Sequence, residues 1–233
     1  MLTTEGLKAG YDESMVLYDV NMFTESGKIT TILGRNGVGK STLLKAIMGI
    51  VPTKEGKIGW TDRNISKLSI DKRAQLGIGY VPQGREIFSS LTVEENLLLG
   101  FEVLGKQGKK EKIPEEVFEW FPVLKEMLHR KGGDLSGGQQ QQLAIARAYV
   151  GKPKVLLLDE PMEGIQPSIV QLIQEVVGIL AREKNIAVVL VEHNVDLALE
   201  CADYVYVMEH GTMVVSGSVE DLQLQEIEKY LVV

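Results

Sequence analysis

A glycine-rich loop between a strand and a helix limits the fold of this 233-residue chain more than any other feature. The loop runs from Gly34 to Ser41, after the β-prone run Ile29–Leu33 and before a helical pattern over residues 42–48. Glycines let backbone N–H groups approach phosphate oxygens, and the following helix adds the positive end of its dipole. The order strand, loop, helix therefore predicts a phosphate-binding loop on an α/β sheet. The alternative is a glycine-rich turn with an incidental lysine.

The residues of the loop have separate predicted roles. Lys40 places its charge on the β- and γ-phosphates of a nucleoside triphosphate, and the hydroxyl of Ser41 takes one position on Mg²⁺. The predicted nucleotide-binding residues are Gly34, Arg35, Asn36, Gly37, Val38, Gly39, Lys40, Ser41 and Thr42.

Two carboxylates follow the continuous apolar run over residues 155–158, which is typical of a parallel strand buried on both faces. Ligands gather at the carboxyl ends of the strands in open α/β sheets. We therefore predict that Asp159 holds Mg²⁺ through a water and that Glu160 is the general base for the attacking water. The other interpretation is a pair of carboxylates that only cap a strand, and the upstream phosphate loop disfavours it.

Composition excludes several classes of protein. A net charge of −7 disfavours an extended nucleic-acid surface, because phosphate backbones are bound by clustered Lys and Arg. Cys201 is the only cysteine, so an intrachain disulfide and a cysteine-based metal site are both excluded. No apolar run approaches the ~20 residues that span a bilayer, and the N-terminal sequence lacks the pattern of a signal peptide. A role in transport would therefore require a membrane path from another chain.

A second motif distinguishes among the many protein families that contain a phosphate-binding loop. It consists of Leu135, Ser136, Gly137, Gly138 and Gln139. Together with the phosphate loop, this motif resembles the signature of the ATP-binding cassette (ABC) ATPases. Ser136 and the amides of the two glycines, at the start of a helix, form an anion-binding end. In the family, that end grips the γ-phosphate of ATP held by another subunit, so the resemblance implies that two cassettes close face to face on two ATP molecules. The alternative is a simple Ser-Gly-Gly helix cap.

The pattern along the chain agrees with this resemblance. Strands alternate with helices, which predicts an α/β fold with a mostly parallel core sheet, that of a P-loop NTPase. From residue 92 onwards the pattern is mainly helical, with apolar residues such as Val93, Leu97, Leu98 and Phe101. We predict a single domain over residues 1–233. Its lobes are an antiparallel β subdomain (1–28 and 56–62), a RecA-like core (29–55, 63–91 and 150–233) and an inserted α-helical subdomain with the signature (92–149).

Three single residues complete the resemblance. Gln83, after the strand Ile78–Val81, matches the glutamine that contacts Mg²⁺ and the attacking water. His193 matches the histidine that contacts the γ-phosphate and positions catalysis, and Tyr11 matches the aromatic residue that stacks on adenine. Taken alone, each has a structural alternative: an exposed turn residue, a structural histidine, and a turn or core tyrosine.

Short segments narrow the resemblance to a type of transporter. The stretches 84–88, 91–97 and 160–168 look like those of importers of branched-chain amino acids and, more closely, of urea. The runs 133–134 and 139–142, on either side of the signature, resemble the urea-type subunit. This implies an ATPase subunit on the cytoplasmic face of the membrane, paired with a second cassette and two membrane permease subunits. A non-identical second cassette is favoured, and an identical one is the alternative. An extracytoplasmic protein would bind the solute. Two departures from the family pattern affect the nucleotide site: Gln166 replaces an aspartate that contacts the partner, and Met162 replaces a small hydroxyl residue beside the base.

Two rival functions remain open from the sequence. The first is a soluble cassette ATPase that acts on chromosomes, ribosomes or iron–sulfur cluster assembly. Long coiled-coil heptads or a second cassette would mark the first two kinds, and the sequence has neither. The second rival is a phosphate-loop kinase, which would leave residues 135–139 without a role and would need a lid over an acceptor substrate.

Overall fold

Two β-sheets and nine helices make up residues 1–231, which are described by a computed structural model. The strands are β1 (Leu2–Tyr11), β2 (Ser14–Thr24), β3 (Ile29–Leu33), β4 (Thr53–Trp60), β5 (Arg63–Asn64), β6 (Ile78–Val81), β7 (Val155–Asp159), β8 (Ala187–Glu192), β9 (Tyr204–Glu209) and β10 (Thr212–Ser218). The helices are α1 (Lys40–Met48), α2 (Ile70–Gln75), α3 (Val93–Leu99), α4 (Glu115–Trp120), α5 (Pro122–Glu126), α6 (Gly137–Val150), α7 (Pro167–Arg182), α8 (Val195–Cys201) and α9 (Leu224–Leu231).

The larger sheet has the strand order β10-β9-β3-β8-β7-β6, and all of its pairs are parallel except β9 with β10. Every residue of β3, β7 and β8 is buried, which explains why these strands are continuous apolar runs. Since β3, β8 and β7 are neighbours in register, their carboxyl ends meet at one edge of the sheet. The predicted fold class is confirmed, and the sheet brings the phosphate loop and the two carboxylates to the same edge.

The smaller sheet is antiparallel, in the order β2-β1-β4-β5. It extends beyond the predicted bounds of the antiparallel lobe: β4 begins at Thr53 rather than residue 56, and β5 lies in a stretch assigned to the core. Lys54 and Glu55, which are exposed, obscured the start of β4, while β5 is only a two-residue exposed edge strand. The division of the chain into three lobes stays a prediction. The sequence analysis did not identify β5, β10 or α9.

The segment between β6 and α6 is less regular than the predicted helical pattern. Short helices α3, α4 and α5 alternate with 3₁₀ turns at Gly100–Leu104, Gly108–Lys110 and Gly132–Asp134. The apolar side chains of Val93, Leu97 and Phe101 are buried as their spacing predicts. Leu98 differs, because its side chain is 45% exposed and leaves an apolar surface beside α3.

A buried arginine closes the far end of the helix that carries Lys40. Arg73 is only 2% exposed, and its guanidinium makes no ion pair with a carboxylate of residues 1–231. Instead it donates to main-chain carbonyls at 2.7–3.0 Å, those of Ala46, Ile47, Ser66 and Leu68. Two of these carbonyls, those of Ala46 and Ile47, belong to the last turn of α1, where no further helical turn supplies N–H donors; the carbonyl of Ala46 also accepts the N–H of Gly49 at 3.1 Å. Arg73 therefore fastens the end of α1 to the loop before α2.

We expect Arg73→Met to lower the free energy of unfolding by about 3 kcal/mol, because buried carbonyls would lose charged donors. Urea unfolding followed by tryptophan fluorescence measures the change. Lys72→Met is the matched control, since Lys72 is exposed and adjacent in sequence. Equal stability of the two variants would contradict the anchoring role of Arg73.

Candidate functional site

The phosphate loop follows β3 directly, and its backbone requires glycine. Gly37 and Gly39 have φ angles of 82° and 117°, in the left-handed region where a side chain is strained. At Gly34 a Cβ atom would lie 2.6 Å from the carbonyl oxygen of Met208 on β9. Helix α1 starts at Lys40, immediately after Gly39, so its first free N–H groups face the loop.

Lys40 is buried at the centre of the site, with 4% of its surface exposed. Its Nζ donates to the carbonyl oxygens of Gly34 and Arg35 at 2.6 and 3.0 Å and lies 3.5 Å from Oε1 of Glu160. Burial lowers the pKa of Lys40, while the carboxylate of Glu160 opposes that shift. The ammonium is therefore held by acceptors that a phosphate oxygen is able to replace.

Asp159 ends β7 and faces the start of α1. The hydroxyl of Ser41 donates to its Oδ1 at 2.9 Å, and the hydroxyl of Tyr80 donates to its Oδ2 at 3.3 Å. Burial raises the pKa of Asp159, and these two hydrogen bonds oppose the rise. The sequence analysis missed Tyr80. Its position in β6, next to β7 and shortly before Gln83, was the available signal.

Glu160 is the meeting point of the predicted catalytic residues. Nε2 of Gln83 donates to Oε2 of Glu160 and to Oε2 of Glu163, both at 2.9 Å. Nδ1 of His193 lies 3.8 Å from Oε1 of Glu160. The backbone of Glu160 has a φ of 48°, a left-handed conformation that costs about 1–2 kcal/mol for a non-glycine residue. The structure thus brings Gln83 and His193 to one carboxylate, and it adds Glu163, which the sequence did not indicate.

A cleft of about 260 Å³ opens over these groups. Its walls are Val16, Asn36, Gly37, Gly39, Lys40, Ser41, Thr42, Gln83 and Glu160. Tyr11, the predicted adenine-stacking residue, is not among them; it lies at the end of β1 with 46% of its surface exposed.

The donor set of the cleft fits Mg²⁺. The hydroxyl of Ser41 and the carboxylate of Asp159 are adjacent hard oxygen ligands, and Gln83 has an amide oxygen left over. Mg²⁺ commonly binds proteins through one or two carboxylates together with substrate phosphates. Across residues 1–231, no cluster of three or more His, Cys, Asp and Glu side chains is placed to hold a metal ion.

The signature lines a different cavity from the phosphate loop. Ser136 caps α6: its Oγ accepts the N–H of Gln139 at 3.4 Å, and Oε1 of Gln139 accepts the N–H of Ser136 at 2.9 Å. Ser136, Gly137, Gly138 and Gln139 line a cavity of about 480 Å³ that shares no lining residue with the phosphate cleft. Leu135 instead packs in the core, 5% exposed. The two motifs therefore line separate cavities of the chain.

The two departures from the family pattern occupy contrasting places. Gln166 is the N-cap residue of α7, where its side chain makes no capping hydrogen bond, and it lines the signature cavity. Met162 is 4% exposed and belongs to the hydrophobic core.

A left-handed turn follows Gln83. Gly84, Arg85 and Glu86 have φ angles of 82°, 72° and 45°, and no other run of three such residues occurs among residues 1–231. Each of the two non-glycine residues costs about 1–2 kcal/mol in this conformation. The surrounding structure must therefore hold the turn.

A buried acid that the sequence analysis missed lies at the end of β8. Glu192 is 1% exposed, and its Oε1 has no hydrogen-bond partner within the described part of the chain. Burial raises the pKa of Glu192 to about 7, although the backbone N–H groups of Met162 and His193 oppose the rise. A charged residue closing the apolar run of β8 was the signal in the sequence.

Comparison with known proteins decides the family. The profile described as ABC transporter matches residues 17–163, which is more than half of the chain. The chain belongs to the ABC transporter family. This family membership makes the cassette an ATPase.

Three relatives match nearly the whole cassette. A probable branched-chain amino acid transport ATP-binding protein LivF of Archaeoglobus fulgidus is 38% identical over 95% of this chain and 94% of its own. The high-affinity branched-chain amino acid transport ATP-binding protein BraG of Pseudomonas aeruginosa is 41% identical over 92% and 91%. The lipopolysaccharide export system ATP-binding protein LptB of Haemophilus influenzae is 36% identical over 97% and 94%.

A solved structure of a nucleotide-free ATP-binding cassette from an ABC transporter resembles the cassette throughout. It superposes with a TM-score of 0.81 at 30% identity and covers 99% of this chain and 94% of its own. The ABC ATPase identity predicted from residues 34–41 and 135–139 is therefore confirmed.

The buried carboxyl of Glu192 generates a pH prediction. Its pKa is about 7 in the folded chain against a usual 4.5, so between these values the folded state keeps a proton that the unfolded state has lost. The free energy of unfolding of the wild type should then fall by about 3 kcal/mol, relative to Glu192→Gln, as pH rises from 4.5 to 7. Below pH 4.5 and above pH 7 the difference should be constant.

Urea unfolding of both proteins at several pH values measures this difference. The comparison cancels other titrating groups, because both chains share them. A difference between the two proteins that does not change with pH would contradict the assignment of a proton to Glu192.

Proposed function

We propose that this cassette is the ATP-hydrolysing subunit of an importer of branched-chain amino acids or urea. The observation that carries the proposal is the convergence of Lys40, Gln83 and His193 on the single carboxylate of Glu160, beside the phosphate loop. The signature lines a separate cavity, and we infer that it binds the ATP held by another chain.

The phosphates of ATP enter the cleft in this proposal. The N–H groups of the loop from Gly34 to Thr42 surround the β-phosphate, and Lys40 exchanges carbonyl acceptors for phosphate oxygens. Ser41, Gln83 and Asp159 would hold Mg²⁺, Asp159 through a water. The ion, when bound, neutralises charge on the β- and γ-phosphates. Tyr11 stacks on the adenine at the outer edge of the site.

Hydrolysis requires a base and an oriented water. Glu160 accepts a proton from the water, and its position is fixed by the amide of Gln83 at 2.9 Å and by Lys40. His193, 3.8 Å from the same carboxylate, contacts the γ-phosphate from the neighbouring strand end. Glu163 shares the amide of Gln83, so displacement of that amide changes both carboxylates together.

A dimer completes the site. Because the signature lies apart from Lys40 within the chain, the amides of Gly137 and Gly138 are available to the γ-phosphate of a partner. We propose a pair of non-identical cassettes, with two identical chains as the alternative. Gln166 lines the same cavity and would replace the usual acidic contact at the dimer interface.

An apolar groove supports attachment to a membrane partner. Ile50, Ile70, Phe88 and Leu99 line a cavity of about 430 Å³, and each is 37–52% exposed. Groups of exposed apolar side chains in a groove mark interaction sites. None of the helices in residues 1–231 has the length and apolar character to cross a bilayer. The proposed occupants are segments of two membrane permease subunits, which hold the cassettes at the cytoplasmic face; a solute-binding protein acts on the outer side.

The relatives support one of the two solute classes. LivF and BraG are named for branched-chain amino acid transport, at 38% and 41% identity. The urea part of the proposal rests on the sequence segments alone and stays a prediction. LptB, at 36% identity, is named for lipopolysaccharide export, which makes export the second candidate. The transport and export names of these three relatives disfavour the soluble, non-transport cassette.

We expect Glu160→Gln to keep ATP affinity within about twofold while hydrolysis falls about 100-fold or more, because the base is lost and the phosphate cradle is not. Binding of a fluorescent ATP analogue and release of phosphate measure the two effects. Glu175→Gln on the exposed face of α7 is the control and should behave as wild type.

Vesicles with the membrane partners extend the test to transport. Uptake of labelled leucine or labelled urea should require ATP and disappear with Glu160→Gln, and the solute that accumulates identifies the class. Hydrolysis by Glu160→Gln within about threefold of wild type would refute the general base. Normal hydrolysis without uptake of either solute would refute the importer assignment.

A further inference from the structure

The left-handed turn after Gln83 is held by the helix that begins with the signature. Arg147, near the end of α6, donates from Nη2 to the carbonyl oxygen of Glu86 at 2.8 Å and to that of Arg85 at 3.5 Å. Its guanidinium also lies 5.3 Å from the ring centroid of Phe88, within the range of a cation–π contact. The side chain of Arg147 thus contacts three residues in and after the left-handed turn: Arg85, Glu86 and Phe88.

Asn96, in α3, contacts both Phe88 and Arg147. Its side chain is fully buried, and its Oδ1 accepts the N–H of Phe88 at 2.9 Å and a hydrogen bond from Nη1 of Arg147 at 3.5 Å. Its Nδ2 donates to the carbonyl oxygens of Phe88, Leu91 and Thr92. Buried amides with all positions satisfied fix a single local geometry.

The other end of α6 touches the same turn. A Cβ atom on Gly137 would lie 2.9 Å from Nη1 of Arg85, so the arginine side chain rests against the first residue of the signature helix. Helix α6 is therefore connected to the turn at both ends, through Gly137 and through Arg147. Gln83, which immediately precedes the turn, contacts Glu160.

We propose that Arg147 is a positioning residue: it holds the strained turn so that Gln83 reaches Glu160, and it thereby couples the signature to the base of the same chain. Movement of α6 when the signature engages a partner's phosphate is transmitted through Arg147 to Gln83. The inference rests on the proposed role of Gln83. Phe88 also lines the groove assigned to the membrane partner, so contact there reaches the same side chain.

Hydrogen exchange of the full-length chain tests directly whether Arg147 stabilises the turn. With Arg147→Met, amides of residues 84–91 should exchange about tenfold faster, while those of β3 and β8 keep their wild-type rates. Arg130→Met is the matched control: Arg130 is exposed in the segment before α6, and its side chain makes no hydrogen bond or ion pair among residues 1–231. Arg147→Lys keeps the positive charge but loses the planar guanidinium with its several N–H donors. It provides the same test if the methionine variant does not fold.

Steady-state kinetics test the coupling. Arg147→Met should lower kcat for ATP hydrolysis about tenfold with KM within about twofold, because Gln83 is displaced and the phosphate loop is not. Adding Glu86→Gly should restore most of the lost kcat, since glycine adopts a positive φ without strain and the turn then depends less on the contacts of Arg147. A side chain that only stabilises the fold would not show this split or this rescue.

The outcomes distinguish the proposed coupling through Arg147 from the proposed role of Gln83 in ATP hydrolysis. Faster exchange confined to residues 84–91, with lowered kcat and rescue by Glu86→Gly, supports the proposal. Unchanged exchange, unchanged kcat or absence of rescue overturns it. Gln83→Ala distinguishes the two levels: if it lowers kcat while Arg147→Met does not, only the coupling fails. If Gln83→Ala hydrolyses ATP at the wild-type rate, the role proposed for Gln83 fails, and the coupling fails with it.

Discussion

The contact between a buried lysine and a buried glutamate organises this molecule. The side chains of Lys40 and Glu160 are 4% and 5% exposed, with Nζ and Oε1 3.5 Å apart. Burying two charges is expensive unless each is paired and hydrogen-bonded. The parallel strands position those partners: the loop that follows β3 supplies the carbonyls of Gly34 and Arg35 that accept from Lys40, while β7 leads into Glu160. An incoming triphosphate meets a cation already desolvated and a base already oriented, which reduces the reorganisation that catalysis requires.

Much of this arrangement follows from the sequence, because its motifs depend on local geometry. A strand, a glycine loop and a helix fix the phosphate cradle around Lys40, and a buried run fixes where Asp159 and Glu160 emerge. The charged edge of the smaller sheet was harder to predict, since Lys54 and Glu55 obscure a strand whose pairing is non-local. Tyr80, Glu163 and Glu192 were missed for the same reason: their partners lie on other strands or loops.

Backbone strain was the other feature beyond prediction. Glu160, Arg85 and Glu86 all have positive φ angles, which no residue preference would assign to them. Strained residues persist where the surrounding structure determines them, and they cluster at functional and switching sites. Here they flank the contact between Gln83 and Glu160, so the strain is located where the proposed cycle changes shape.

The central claim is that one chain contains two halves of different sites, and the rate of ATP hydrolysis per chain as a function of chain concentration tests it most directly. The account predicts that this rate rises with concentration and then saturates as chains pair. Ser136→Arg should abolish the rise while ATP still binds beside Lys40. A rate per chain that stays constant on dilution to monomers, and that is indifferent to Ser136→Arg, would contradict the account.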